Sequence, residues 1–441
     1  MTRQRTSVAP IWRRSAFLSL AVLILLPPFV FVPTAFEAFR TPKLLLSLFL
    51  AMVSLLCLSW ALRDVERVSF AGLWKLPALR AALPLVALAG LSWFTTEFRE
   101  VTGRAIVALT IGAASLVGWS VGLSDTERNR ALGLLYWSAT ALSALALLQA
   151  SGLYRPLAMV GGKETSRMGI TSLAGNAGDL AAYLVLPCLL LQGALRGSSG
   201  TQRIRNAILL AVLVLTMAVT QTFTALAALL VGSLLFWAAS LPLRRTLRSA
   251  LATLALAAAL VLLISPLRQR ALGKVHAISS GDWNQVLTYR LDAWRAATWM
   301  LGQHPIEGVG HGAYRSHYAE ARLALTAEGK DFSGPYRQFT FSNAHNDVLE
   351  VAAELGVPGL LALAWATWTL ISSWRRRPGE ERPLALAALA SLALLAMGTF
   401  PFETALLIFP WLLFLSGVLR PAPLSVEIPE PQAVRPARRG R

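Results

Sequence analysis

Apolar runs of about 18 or more residues recur along this chain, and each can cross roughly 30 Å of hydrocarbon as a helix. In hydrocarbon every backbone N–H and C=O needs a partner within the protein, which leaves helices and closed barrels. Barrel strands alternate apolar and polar residues, whereas these runs are continuous, so the chain reads as an all-α polytopic membrane protein. Twelve transmembrane helices are expected, at 15–35, 43–62, 81–96, 104–123, 131–150, 177–195, 206–221, 223–241, 249–266, 356–374, 383–400 and 403–420. The third is short enough to tilt or re-enter. Charged residues make up 15% of the chain, against about 25% in soluble domains, which agrees with a lipid environment.

The formal charge is +18, which in a soluble protein would point to nucleic acid. Here it has a topological reading and no nucleic-acid partner is expected, because lysine and arginine are retained on the cytoplasmic side. With the N-terminus inside, 25 of these residues fall in inside connections and 7 outside, so both termini are expected in the cytoplasm. The chain then divides into spans one to nine (1–266), an outside loop domain (267–355), spans ten to twelve (356–420) and a basic tail (421–441) expected to be disordered. RRSAFLSLAVLILL resembles a twin-arginine signal, but no small-residue cleavage site follows, and an uncleaved first helix is expected. Cys57 and Cys188 lie in apolar runs and read as small core residues.

All five histidines fall in the outside loop: His276, His304, His311, His317 and His345. A helix is expected over Arg290–Leu301, where Arg290 and Trp294 share a face, and a second from Ala313 to about Leu325. Gly302, Pro305, Gly308, Gly310 and Gly312 mark turns between them, and the stretch 329–335 reads as flexible. Ser342 or Asn343 is the expected cap of an amphipathic surface helix with Asp347 near its first turn. Gly356, Pro358 and Gly359 then bend the chain into the tenth span.

His345 sits where the loop re-enters the membrane, beside Asn346, Asp347 and Glu350. A histidine of ordinary pKa is substantially neutral at pH 7 and can take a proton, with Asp347 or Glu350 orienting its ring. The plain alternative is a solvated histidine in a helix cap. Arg290, on a helix face beside aromatics near lipid, suits a phosphate; the alternative is a surface charge pairing with Asp292 or a lipid headgroup. Arg167 precedes a Gly175–Asn176 turn that opens a membrane helix, where backbone donors can meet an anion, or where an ordinary cap stands. His304, His311 and His317 lack the spacing of helical metal pairs, and no metal site is expected. The GxGxG at 308–312 has no strand before it and is not a dinucleotide fingerprint.

The segments YRLDAW, QHPIEGVGHGAY and AHNDVLEVAAELGVPGL, in that order within one long outside loop, resemble the O-antigen ligase and polymerase superfamily. The resemblance implies a bacterial inner-membrane glycosyltransferase that needs no metal or cofactor. It implies an undecaprenyl-pyrophosphate-linked glycan as donor, and a lipid A–core sugar or growing polysaccharide as acceptor. It gives His345 and Arg290 the roles of the family's loop histidine and arginine. Members often carry a Ser-Arg-Gly at the outside turn between the seventh and eighth helices; here that turn reads VTQTFTALAALL, with Gln221 or Phe223 in the arginine's place. A second pyrophosphate contact is then either missing or supplied from elsewhere, by Arg167 or Arg315. Ligase and polymerase readings both stay open. A transporter or flippase would place ionisable groups near the bilayer midplane, which here is almost free of them. A scaffold would leave the pairing of His345 and Arg290 unexplained.

Overall fold

The computed structural model of the protein describes residues 9–35, 37–63, 70–153, 169–330 and 341–421, and they are helical as expected. In chain order the helices are α1 (Ala9–Leu25), α2 (Arg40–Leu62), α3 (Phe70–Leu73), α4 (Pro77–Thr95), α5 (Arg99–Gly122) and α6 (Asp125–Ser151). There follow α7 (Ala177–Gly197), α8 (Gly200–Val219), α9 (Phe223–Ser240), α10 (Leu243–Leu263), α11 (Ser265–Ser279) and α12 (Trp283–Val286). The last are α13 (Arg290–Gln303), α14 (Tyr314–Ala327), α15 (Asp347–Arg375), α16 (Arg382–Gly398) and α17 (Ala405–Val418). Among the described residues, ten helices are long and apolar enough to cross a membrane. The last two of the twelve expected spans fall on α16 and α17, which are apolar but only 17 and 14 residues long. The connection between them, 399–404, takes up the remaining residues and buries Phe400.

Apolarity on every side puts α7 at the centre: it is buried along most of its length and packs against α8, α9, α16 and α17. At the rim, α10 has no buried residue and presents Leu247, Leu251 and Leu254 outward. Arginines close the helix ends on one face of the bundle. Arg128 donates to the carbonyls of Trp119 (3.2 Å) and Leu123 (3.3 Å), and Arg377 to that of Val418 (3.0 Å), where positive charge offsets the helix dipoles. At the other face the turn 220–222, the turn before α15 and the connection 399–404 meet α13.

There a second, smaller core joins α13 and α14 to the start of α15, through Ala297, Met300, Tyr314, Tyr318 and Ala353, with Trp299 and Phe341 against it. The expected bend falls on Gly356, whose φ is +64°. A helix broken there loses donors to the carbonyls of its preceding turn, and the glycine-rich loop replaces them. Val309 N–H donates to Ala353 O (2.9 Å), Gly310 N–H to Glu354 O (3.0 Å), and Val357 N–H to Pro305 O (2.8 Å). A Cβ on Gly308 would lie 2.2 Å from Glu354 O, so only glycine admits this approach. The His-Pro-x-x-Gly-x-Gly and Glu-Leu-Gly segments are therefore the two halves of one backbone joint.

One expectation needs correction. The cap of α15 is Asn346, not Ser342 or Asn343: its side chain accepts from Val348 N–H and Leu349 N–H, both at 3.1 Å. Asn343 is engaged elsewhere, by Glu350 and Glu403. Residues 347–355 form a helical leg of their own, and the break at Gly356 turns the chain into the span beyond, as expected. Arg167 and most of the stretches 329–335 and 421–441 lie outside the described residues.

Candidate active site

His345 occupies the last turn before α15 with φ +54°, a left-handed conformation that costs roughly 1–2 kcal/mol for a residue with a Cβ. Bonds on both sides hold it there. One turn into α15, the buried Glu350 carboxylate accepts from Ala344 N–H (2.9 Å) and from the Asn343 amide (3.2 Å). On the other side Asn346 caps the helix, a contact worth about 1 kcal/mol. The sequence reading had Asp347 or Glu350 orienting the imidazole; instead Glu350 holds the backbone ahead of it. Aromatic rings set the imidazole's orientation. Phe341 meets it edge-on at 5.8 Å between centroids, and Phe400 lies tilted at 4.8 Å. No hydrogen bond to either ring nitrogen occurs among the described residues. Burial, then the charges of Arg290 and Arg40, push its pKa down to about 3, so the imidazole is neutral.

Arg290 begins α13, and its guanidinium donates to the Thr224 hydroxyl at 3.1 Å. Thr224 lies in the first turn of α9, just past the tight turn in which Gln221 has φ +54°. No side chain caps that end of α9. Asp292, the expected surface partner, is turned away: it lies 3.9 Å from Arg295 and accepts from Asn284 at 3.4 Å. Arg290 has no carboxylate partner among the described residues. Burial, then the charge of Arg270, lower its pKa to about 10, which leaves it charged at neutral pH.

A third cation escaped the sequence reading, which counted Arg40 only as an outside charge. Its guanidinium lies 4.8 Å above the Phe400 ring, whose neighbour is His345, and 3.7 Å from Asp179. Asn176 is the cap of α7, accepting from Asp179 N–H at 2.7 Å, so the Gly175–Asn176 turn shapes this corner through Asp179. A cavity of about 210 Å³ opens beside Arg40 and Phe400, lined also by Arg315, Asn343, Glu350, Glu354 and Glu403. Arg315 lies 3.5 Å from Glu37 on this cavity. His304, His311 and His317 each face a carboxylate, Glu307, Glu354 and Glu320, at 3.0–3.2 Å. Among the described residues no group of three or more His, Cys, Asp and Glu side chains is arranged to hold a metal ion.

Three arginines, one neutral histidine and a carboxylate-lined cavity thus meet on one face of a multi-pass bundle. Phe400 and Thr224 carried no signal in the sequence, since each is one apolar or small polar residue at a span end. Arg40 had one: it stands at the polar edge of a span, where few outside cations occur. No curated protein matches the chain. A family model described as O-antigen ligase matches residues 208–364, from α8 into α15, and takes in Thr224, Arg270, Arg290 and His345 while leaving out Arg40 and Phe400. This multi-pass bacterial membrane protein therefore carries, over residues 208–364, a domain that matches the O-antigen ligase model.

Proposed function

We propose that the protein transfers a glycan from undecaprenyl pyrophosphate to a sugar hydroxyl of the lipid A–core, on the periplasmic face of the inner membrane. The observation that carries this reading is a neutral imidazole flanked by arginines within the region that matches the O-antigen ligase model. The acceptor hydroxyl donates a hydrogen bond to His345 and then gives it the proton. Its oxygen bonds to the anomeric carbon as the bond from that carbon to the pyrophosphate oxygen breaks. The electron pair leaves on the pyrophosphate, whose charge Arg290 offsets. Pyrophosphate is already a good leaving group, so the step needs no dedicated acid. The acceptor sugar enters from the cavity beside Arg40 and Phe400, and the loop helices roof the site against water, whose attack is the competing reaction.

Extension of a lipid-linked polymer would use the same chemistry, and deletion of the protein separates the two readings. A ligase deletion leaves free core with accumulated long lipid-linked polymer. Single repeat units on the normal acceptor would make it a polymerase, and an unaltered envelope glycan profile would sink both readings.

Sidedness rests on the excess of positive charge in the inside connections. Ser280→Cys, exposed at the end of α11, should react with an impermeant thiol reagent in intact spheroplasts. Ser199→Cys, between α7 and α8, should react only after lysis. Cys57 and Cys188 are buried and contribute little background. The reverse pattern would invert the proposed topology.

A further inference from the structure

Arg290 and Arg270 reach the start of α9 from different elements. Arg290, on α13, bonds the Thr224 hydroxyl at 3.1 Å, while Arg270, on α11, places its guanidinium carbon 5.9 Å from the centre of the Phe223 ring. Phe223 and Thr224 are the first two residues of α9, so two guanidiniums meet over one helix end. The charge of Arg270 is felt at Arg290, where it adds to burial in disfavouring the charged form. Like charges brought together at a partly buried place raise the energy of the empty site, and a ligand with charge on both sides relieves it. Arg290 itself is bonded to a neutral hydroxyl, so its own charge is not already met by a carboxylate among the described residues.

The position of Arg270 adds a direction. Helix α11 follows directly on α10, the rim span with no buried residue, and exposes Leu272, Val275 and Ile278. Such a helix, half apolar and half basic, suits the membrane interface. A polyprenyl tail running beside α10 would bring its pyrophosphate to α11 before it reached α13. Planar forks on two elements match a ligand with two adjacent phosphates better than one with a single phosphate.

We infer that Arg270 binds the pyrophosphate of the lipid-linked donor together with Arg290, Arg270 holding it from the membrane side and Arg290 from the side of His345. This rests on the glycan-transfer reading above. It assigns the second cation to a residue that neither charge counting nor motif spacing singled out, in place of Arg167 or Arg315.

The test uses the full-length protein in liposomes with a polyprenyl-pyrophosphate-linked glycan, and inorganic pyrophosphate as a competing probe. Arg270→Ala should raise the KM for the lipid-linked donor and the Ki of pyrophosphate at least about tenfold each, the scale of one lost charge-assisted bond. The KM for the acceptor should stay unchanged. Arg270→Lys, which retains the charge without the fork, should fall between, and serves equally if the alanine variant does not insert. Phe223→Arg, which returns a guanidinium to the same helix end, should recover part of the loss in Arg270→Ala; a purely structural role for Arg270 would not respond to it. Parent-like donor KM and pyrophosphate Ki in both Arg270 variants would overturn the inference. An equal rise in donor and acceptor KM, unchanged by Phe223→Arg, would make Arg270 structural and overturn it too. A parent protein that transfers nothing from the lipid-linked donor would instead overturn the glycan-transfer reading.

Discussion

His345→Ala should abolish glycan transfer while leaving the protein in the membrane at normal abundance. The proposed proton acceptor is lost, and a positioned general base contributes about 10²–10⁴-fold. Alanine keeps the Cβ and with it the left-handed strain at 345, but Glu350 and Asn346 still hold the backbone on either side, so the fold should survive. The pH dependence is a second readout. In the free protein burial and then two guanidiniums hold the imidazole pKa down near 3, against about 6.5 for an ordinary histidine. A folded pKa below the unfolded one means that the fold disfavours the proton. The stability tied to neutral His345 is therefore fully present above about pH 6.5, and is lost as pH falls from there toward 3. The bound pyrophosphate offsets the charge of Arg290, which raises the imidazole pKa and makes it a stronger base in the complex than in the free protein. The acid limb of kcat, which reports the bound complex, should thus lie at higher pH than that of kcat/KM for the lipid-linked donor. Coincident limbs would break this link between Arg290 and the histidine. Near-parent product from an equally abundant His345→Ala protein would return His345 to a cap residue.

Arg290 carries the next largest effect. Arg290→Ala should lower kcat/KM for the lipid-linked donor by about 10-fold to 150-fold, the range of one lost charge-assisted contact, and more if it acts chiefly in the transition state. Arg290→Lys should lose less: the charge stays, but an ammonium cannot bridge two phosphate oxygens in a fixed plane. The shift in the histidine gives an internal check. The charge of Arg290 lowers the His345 pKa, so Arg290→Ala should move the acid limb of kcat/KM upward, and Arg290→Lys should move it less. Transfer at matched protein levels decides the matter. If both variants turn over like the parent, Arg290 is a surface charge and the proposed clamp fails.

Much of the loop's local structure is legible in the sequence. The helices over 290–303 and 314–327 follow from apolar spacing, and the break at Gly356 from its neighbours. The cap was misplaced because Ser342, Asn343 and Asn346 offer the same side-chain chemistry within five positions, and only packing decides among them. Asn343 is drawn to Glu350 and Glu403, which leaves Asn346 to α15. The same limit applied to Glu350. An acid five residues after a histidine in sequence can face its ring or its backbone, and the turn before α15 turns it to the backbone.

The sequence by itself determined the membrane class and the gathering of polar residues into one long segment between apolar spans. Hydrocarbon demands about twenty apolar residues per crossing and makes charge within it costly, so both are written along the chain. Only the tertiary structure decided which side chains meet. Arg40 and Phe400 reach His345 from opposite ends of the chain, and Arg270 and Arg290 converge on α9 from two separate helices. Such meetings depend on how helix ends pack around a buried α7 and on turns held by single hydrogen bonds. No pattern of residue types along one element records the distance to another, so the site's cations appeared in the sequence only as charges to be counted.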